Sequence, residues 1–290
     1  MRDLRILAGT DPAKVQRVET RREWRTLGIF WLAALLVWAA VTLLAWYSER
    51  SLGKATVITG YALFVIVLSL GFFKVRKRLL VLPLGTVREW MLGHVVLGAL
   101  SVAVYFQHTG TVWPEGRYEQ AIALAFYLVT LSGIVGYVLQ RILPLRLADL
   151  EGEVIYERIP NELAALREQI EDLILKAVKE LGSDTLGRYY TESLEWFFWR
   201  PRFLLGHLVG SGRSASWIRG RITALRRYLN EGERAYLGRI EELALQKSRL
   251  DAHYALQSVL KFWLFVHVPA AVLLILLACW HLLVVNIYAR

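Results

Sequence analysis

The stretch HVPAAVLLILLACWH, His267–His281, sets an ionisable side chain at each end of thirteen uncharged, mostly apolar residues. Ionisable groups at membrane depth are costly and mark function where they occur. A second stretch upstream, HVVLGALSVAVYFQH, His94–His108, repeats the spacing. Fourteen residues of α-helix advance about 1400°, about 40° short of four full turns, and rise about 21 Å. Each pair therefore lies on nearly one helical face, with one imidazole towards each side of a hydrocarbon core about 30 Å thick.

The rest of the chain reads as a membrane protein. Of 290 residues, 56% are hydrophobic, above the usual range for soluble domains. Five segments have the length and composition of spans: Leu27–Tyr47, Ala55–Phe73, Trp90–Phe106, Ala121–Leu139 and Phe262–Tyr288. The expected fold class is all-α, a polytopic membrane bundle of five transmembrane helices with a cytoplasmic helical insertion before the last. The domains expected are an N-terminal tail (1–26), helices 1–4 (27–140), the insertion (141–258) and helix 5 (259–290). No cleavable signal peptide is expected, because the first 26 residues are mixed in charge and lack an apolar core.

Basic residues orient the spans. The tail carries seven Lys/Arg, the loop 74–89 five and the segment 140–261 nineteen, against two in 48–54 and one, Arg117, in 107–120. The positive-inside rule then puts the N-terminus in the cytoplasm and the C-terminus outside, across an inner (plasma) membrane. The net charge of +10 is accounted for by topology and anionic lipid, and no nucleic-acid partner is needed. The only cysteine is Cys279, so no intrachain disulfide, Cys-bound iron–sulfur cluster or CxxC haem attachment can form.

The insertion has helical periodicity. Leu163, Leu166, Ile170, Leu173, Ala177 and Leu181 follow a 3-4 rhythm, as do Tyr236, Ile240, Leu243, Leu250 and Tyr254, with a break at Lys247. Pro160–Asn161 is a helix start, LGSD (181–184) a stop, and one helix runs from about Glu233 into the last span. EWFFWRPRFLLGH (195–207) reads either as an interfacial or docking segment or as a buried turn of the bundle.

The third and fifth spans both start in the cytoplasm and run parallel. If they face each other, His94 meets His267 near the cytoplasmic side and His108 meets His281 near the outer side. Each facing pair can give two axial imidazoles to the iron of one b-type haem. A dinuclear metal site fits less well, since about 21 Å separates the members of a pair and no carboxylate or thiolate accompanies them. Gly93, Gly98, Ala99, Ser101, Ala103, Ala270 and Ala271 leave room beside the ligands, though helix packing uses small residues too. Pro269 loosens the helix just after His267. Arg88, Arg141 and Lys261 either pair with haem propionates or anchor at the interface. His207 and His253 read as bundle-packed or exposed rather than as a third cofactor site.

His94-x13-His108 and His267-x13-His281 resemble the paired ligands of di-haem membrane cytochromes b. Two groups share the pattern: the cytochrome b of quinol:cytochrome c oxidoreductases, and the ferric-reductase-like transmembrane domain that includes NADPH oxidases. Ligands on the third and fifth spans are similar to the second group. The resemblance covers the membrane part, about 140 residues. It departs in having no nucleotide-binding GxGxxG, and in the insertion. It implies two b-type haems held by His94, His108, His267 and His281, and electron transfer across the membrane as one subunit of a respiratory, photosynthetic or reductase complex. The partners it implies are a c-type cytochrome outside, and a flavin or iron–sulfur protein or quinone as donor or acceptor. Two alternatives from other classes stand beside it: a structural anchor that recruits a soluble partner, and a proton-linked transporter using the membrane histidines.

Overall fold

The structure, a computed structural model, describes residues 12–72 and 86–288, with side chains from residue 24 onward. Residues 1–11 of the basic tail, 74–85 of the basic loop and 73, the end of the second expected span, lie outside the described residues. Among those described, every regular element is helical. In chain order these are α1 (Pro12–Arg50), α2 (Ala55–Gly71), α3 (Val87–Thr109), α4 (Arg117–Ala148), α5 (Ile159–Leu181), α6 (Thr185–Tyr189), α7 (Glu195–Trp199), α8 (Leu204–Val209), α9 (Arg213–Arg226) and α10 (Glu231–Tyr288). A π-turn over Tyr190–Leu194 joins α6 to α7.

Among the described residues, four helices are long and apolar enough to cross a membrane: Trp24–Arg50 within α1, then α3, α4 and α10. The shorter α2 is apolar over 17 residues. Their outward faces carry Trp31, Leu35, Leu36, Leu43, Leu131, Ile134, Leu273 and Leu276, all exposed. Apolar surface of that extent is far beyond what a soluble monomer leaves in water, and suits a bilayer.

The chain divides into two units, Met1–Tyr137 with Phe265–Arg290, and Val138–Leu264. In the first, α1, α2 and α3 make the main close backbone approaches among the described residues. Ala34, Ile66, Val96, Leu100 and Val104 fill their seam. A second cluster brings in α4 and the end of α10: Tyr105 stacks on Phe126 at 4.3 Å, with Val67, Ala123 and Leu274 around them. α3 starts at a capping box, in which Thr86 Oγ1 accepts from the Glu89 amide and the Glu89 carboxylate accepts from the Thr86 amide. Such a cap is worth about 1 kcal/mol. It ends at Gly110, whose φ of +62° only glycine adopts cheaply.

The second unit is a helical bundle around Phe197 and Phe198, with Ile170, Ile174, Leu194, Ile218, Ile222, Leu237 and Ile240 packed about them. Of the four consecutive-zone aromatics in 195–199, these two phenylalanines are core, while Trp196 and Trp199 are exposed. α5 begins with Pro160 in its first turn and stops at Gly182, φ +61°. Its buried face is Ile159, Leu166, Ile170, Ile174 and Ala177. Ile174 is added to the expected face, with Leu173 half-buried against the same core, because the helical period of 3.6 drifts from a strict heptad. α10 is one helix of 58 residues, with Pro269 inside it.

Lys247, expected as a break in the α10 rhythm, is fully buried and keeps the rhythm. Its ammonium donates to Asp251 at 2.6 Å and to the Arg200 carbonyl at 2.9 Å, and lies 4.1 Å from the Phe197 ring centroid. Asp251, also fully buried, accepts from the Arg202 amide at 3.1 Å. The pair thus holds the extended Arg200–Arg202 turn against α10. Two charges taken out of water need such extra hydrogen bonds to offset their desolvation.

Candidate functional site

The four membrane histidines belong to the first unit and are all half-buried. His94 and His108 stand on α3, His267 and His281 on α10. His94 lies within electrostatic reach of His267, and His108 within reach of His281. The order of contacts fixes the directions. α4 lies antiparallel to α10, since Tyr118 donates to the Leu277 carbonyl at 2.7 Å while Ser132 meets His267 at 2.8 Å. α2 lies antiparallel to α10 as well, with Tyr61 donating to Asn286 at 2.8 Å and Gly71 against Ile275. α3 and α10 run parallel, with both histidine pairs in register.

One imidazole of each pair is oriented from the side by a neighbouring helix. At one end of the bundle, His108 Nδ1 lies 3.0 Å from the Thr56 carbonyl and 3.2 Å from Thr59 Oγ1, both on α2. A carbonyl can only accept, so Nδ1 carries the proton and Nε2 the lone pair. At the other end, His267 Nδ1 lies 2.8 Å from Ser132 Oγ on α4, and that hydroxyl donates to the Val129 carbonyl at 3.0 Å. With its hydrogen so directed, Ser132 accepts from His267 Nδ1, and again Nε2 carries the lone pair. Outer-shell hydrogen bonds of this kind set tautomer and ring direction in metal-binding histidines.

Each oriented imidazole also rests on a glycine beside its hydroxyl partner. A Cβ on Gly60 would sit 2.8 Å from His108 Cε1, and one on Gly133 would sit 3.7 Å from His267 Cε1. The support is therefore a Thr–Gly dipeptide, Thr59–Gly60, and a Ser–Gly dipeptide, Ser132–Gly133. Sequence reasoning missed Thr56, Thr59, Gly60, Ser132 and Gly133 as supports of these rings. The hydroxyl–glycine pairs inside apolar spans were the available signal. His281 is flanked by Tyr118, ring centroids 6.1 Å apart and 24° between planes.

Among the described residues, no three of His, Cys, Asp or Glu gather as metal ligands. Pairs of imidazoles suit a metal that brings its own equatorial donors, not a bare ion needing three or four protein ligands. In each pair one imidazole, His267 or His108, has its Nδ1 engaged and carries the Nε2 lone pair that a metal ligand needs. Of the basic residues expected near a haem, Lys261 is ion-paired with Glu157 and lies 4.0 Å from the Tyr156 ring centroid. Arg88 and Arg141 are exposed and have polar contacts of their own. His253 is buried against the backbone of Glu151 and Gly152, and His207 lies near Lys247.

No family model, no curated protein and no solved structure matches the chain.

Proposed function

We propose that the chain is a di-haem b-type cytochrome subunit that passes electrons across the membrane, with His94 and His267 as axial ligands of one haem and His108 and His281 of the other. The observation that carries the reading is the registered pairing of four histidines from two parallel helices, one pair towards each end of the bundle. Three features support it. Nδ1 of His108 and of His267 is engaged, which leaves the lone pair on Nε2 as the donor for a metal. α3 and α10 are not among the closely approaching helix pairs of this unit, which is compatible with a flat group between them. No carboxylate or thiolate cluster competes among the described residues.

Bound haem would supply the one-electron chemistry. The chain's own work is positional. α2 and α4 fix the two anchored rings, α3 and α10 set the depth of all four, and the apolar surround keeps water from the sites. In this reading α2 is the second of five spans, the N-terminus is cytoplasmic, and Val138–Leu264 faces the cytoplasm of a cell whose inner membrane holds the protein. Its redox partners are a c-type cytochrome outside and a flavin or iron–sulfur protein or quinone on the other side.

Purified full-length chain tests this. Pyridine haemochrome assay should give two b haems per chain, with bis-imidazole low-spin spectra. His267→Ala should remove the haem near the cytoplasmic side and His281→Ala the outer one. A chain without a Soret band refutes the proposal; pH-linked transport by such a chain would favour a proton-coupled transporter, and neither property would favour an anchor.

A further inference from the structure

We infer that the surface built by Trp199, α8 and the start of α9 is a docking surface for the anionic leaflet of the membrane that the chain crosses. The inference uses the membrane character of the protein and not its haems. α8 leaves Leu205 and Val209 79% and 76% exposed, and Leu204 and, five residues earlier in the chain, Trp199 are exposed as well. A six-residue helix with this much bare aliphatic surface is poorly placed in water.

Three observations select lipid as the occupant. The first is charge. Between Glu195 and Glu231 the chain carries seven arginines, Arg200, Arg202, Arg213, Arg219, Arg221, Arg226 and Arg227, and no Asp, Glu or Lys. Trp199 does donate to the Glu195 carboxylate at 3.2 Å, but an acid-free segment of seven arginines next to exposed apolar side chains is the composition of interfacial membrane segments, which bind by burial and by attraction to anionic headgroups. The second is attachment. Arg146, in the last turns of α4, donates from Nη1 to the Leu208 carbonyl of α8. Gly210, at φ +73°, gives its guanidinium room to approach. The same stretch of α4 carries exposed Val138, Ile142 and Leu145, so the bare face of α8 is tied to the apolar end of a membrane-length helix. The third is the pairing of tryptophan with arginine. Arg202 stacks on Trp196 and Arg167 on Trp199, each 4.8 Å from the ring centroid, and Arg221 lies 5.8 Å from Trp217. Indoles favour the headgroup layer, and a guanidinium on the ring face brings the charge there with it.

The test uses full-length protein with Cys279→Ser, so that a single introduced cysteine can carry an environment-sensitive fluorophore. Leu205→Cys and Val209→Cys are the reporters. Leu175→Cys, exposed on α5, is the water control, and Leu35→Cys, exposed on α1, is the lipid control. In nanodiscs of phosphatidylcholine with phosphatidylglycerol, brominated lipid should quench labels at 205 and 209 nearly as fully as at 35, and leave 175 bright. Arg200→Glu with Arg213→Glu should cut the quenching at 205, as should discs of phosphatidylcholine alone. Quenching at 205 and 209 no greater than at 175 overturns the inference, and leaves the face to a protein partner. Quenching indifferent to lipid charge and to the arginine reversals overturns its anionic part. Labels at two independent positions guard against one variant failing to fold.

Discussion

Replacing Gly60 with alanine should dislodge His108. The new Cβ would stand 2.8 Å from His108 Cε1, on a helix whose backbone is fixed by its own hydrogen bonds. Carbon atoms pack best at about 3.5–4.0 Å, so one partner must retreat by about an ångström. The imidazole is the movable one, and retreat breaks its contact with the Thr56 carbonyl. Overpacking costs about 1–3 kcal/mol and the lost hydrogen bond about 1 kcal/mol. The gain in helix propensity returns about 0.5–1 kcal/mol. The net loss should therefore be about 1–3 kcal/mol. Gly133→Ala is the matched control, because its Cβ would meet His267 Cε1 at an ordinary 3.7 Å; it should be neutral or slightly stabilising. Thermal unfolding of detergent-solubilised full-length chain measures the difference and, on the proposed reading, bound haem per chain would give a second. Equal behaviour of Gly60→Ala and Gly133→Ala would refute the reasoning, since it rests wholly on the unequal clearances at the two glycines.

Ser132→Ala removes the acceptor for His267 Nδ1 and should cost about 1 kcal/mol, with lower haem retention than Thr59→Ala, where the Thr56 carbonyl still accepts from His108; equal retention in the two variants would contradict this. Lys247→Met should destabilise the second unit by about 3–5 kcal/mol, because it leaves the buried Asp251 carboxyl without its cation; Lys247→Met with Asp251→Leu should recover much of that in urea unfolding. His207 is pushed below its ordinary 6.5, chiefly by burial and then by Lys247. The unfolded chain therefore takes up a proton near pH 6.5 that the folded chain refuses. The stability His207 contributes is present above that pH and is lost as pH falls towards its folded value. His207→Gln should flatten the unfolding midpoint against pH in that window, and an unchanged slope would count against the assignment.

Much of this architecture was legible because helical geometry is periodic. Residue spacing alone placed each histidine pair on one face, and the parallel run of α3 and α10 followed from the number of crossings between them. Pro160 and Gly182 bounded α5 as their backbone preferences require. What spacing could not supply was lateral neighbourhood. That α2 flanks His108 and α4 flanks His267 depends on which helices pack together, so Thr56, Thr59, Gly60 and Ser132 went unnoticed. Lys247 was misjudged for a related reason. A charged residue on an apolar face reads as an interruption until its partners are known, and two of the three polar groups in that contact, the Arg200 carbonyl and Asp251, are supplied by the backbone and by the same helix one turn on. The aromatic run at 196–199 split between core and surface because successive helical residues point about 100° apart.

The two anchored imidazoles differ in when the ribosome completes them. His108 and its Thr56 support are 52 residues apart, on adjoining helices, whereas His267 and Ser132 are separated by 135. The α2–α3 half-site exists once the chain has been made to Thr109, long before His281 is synthesised to face it. The α4 support, by contrast, is in place with no imidazole upon it until α10 arrives. Translation of α10 thus delivers, within fifteen residues, the missing member of both pairs. On the proposed reading, cofactor capture would wait for the end of synthesis, since a chain truncated before His267 has no pair at all.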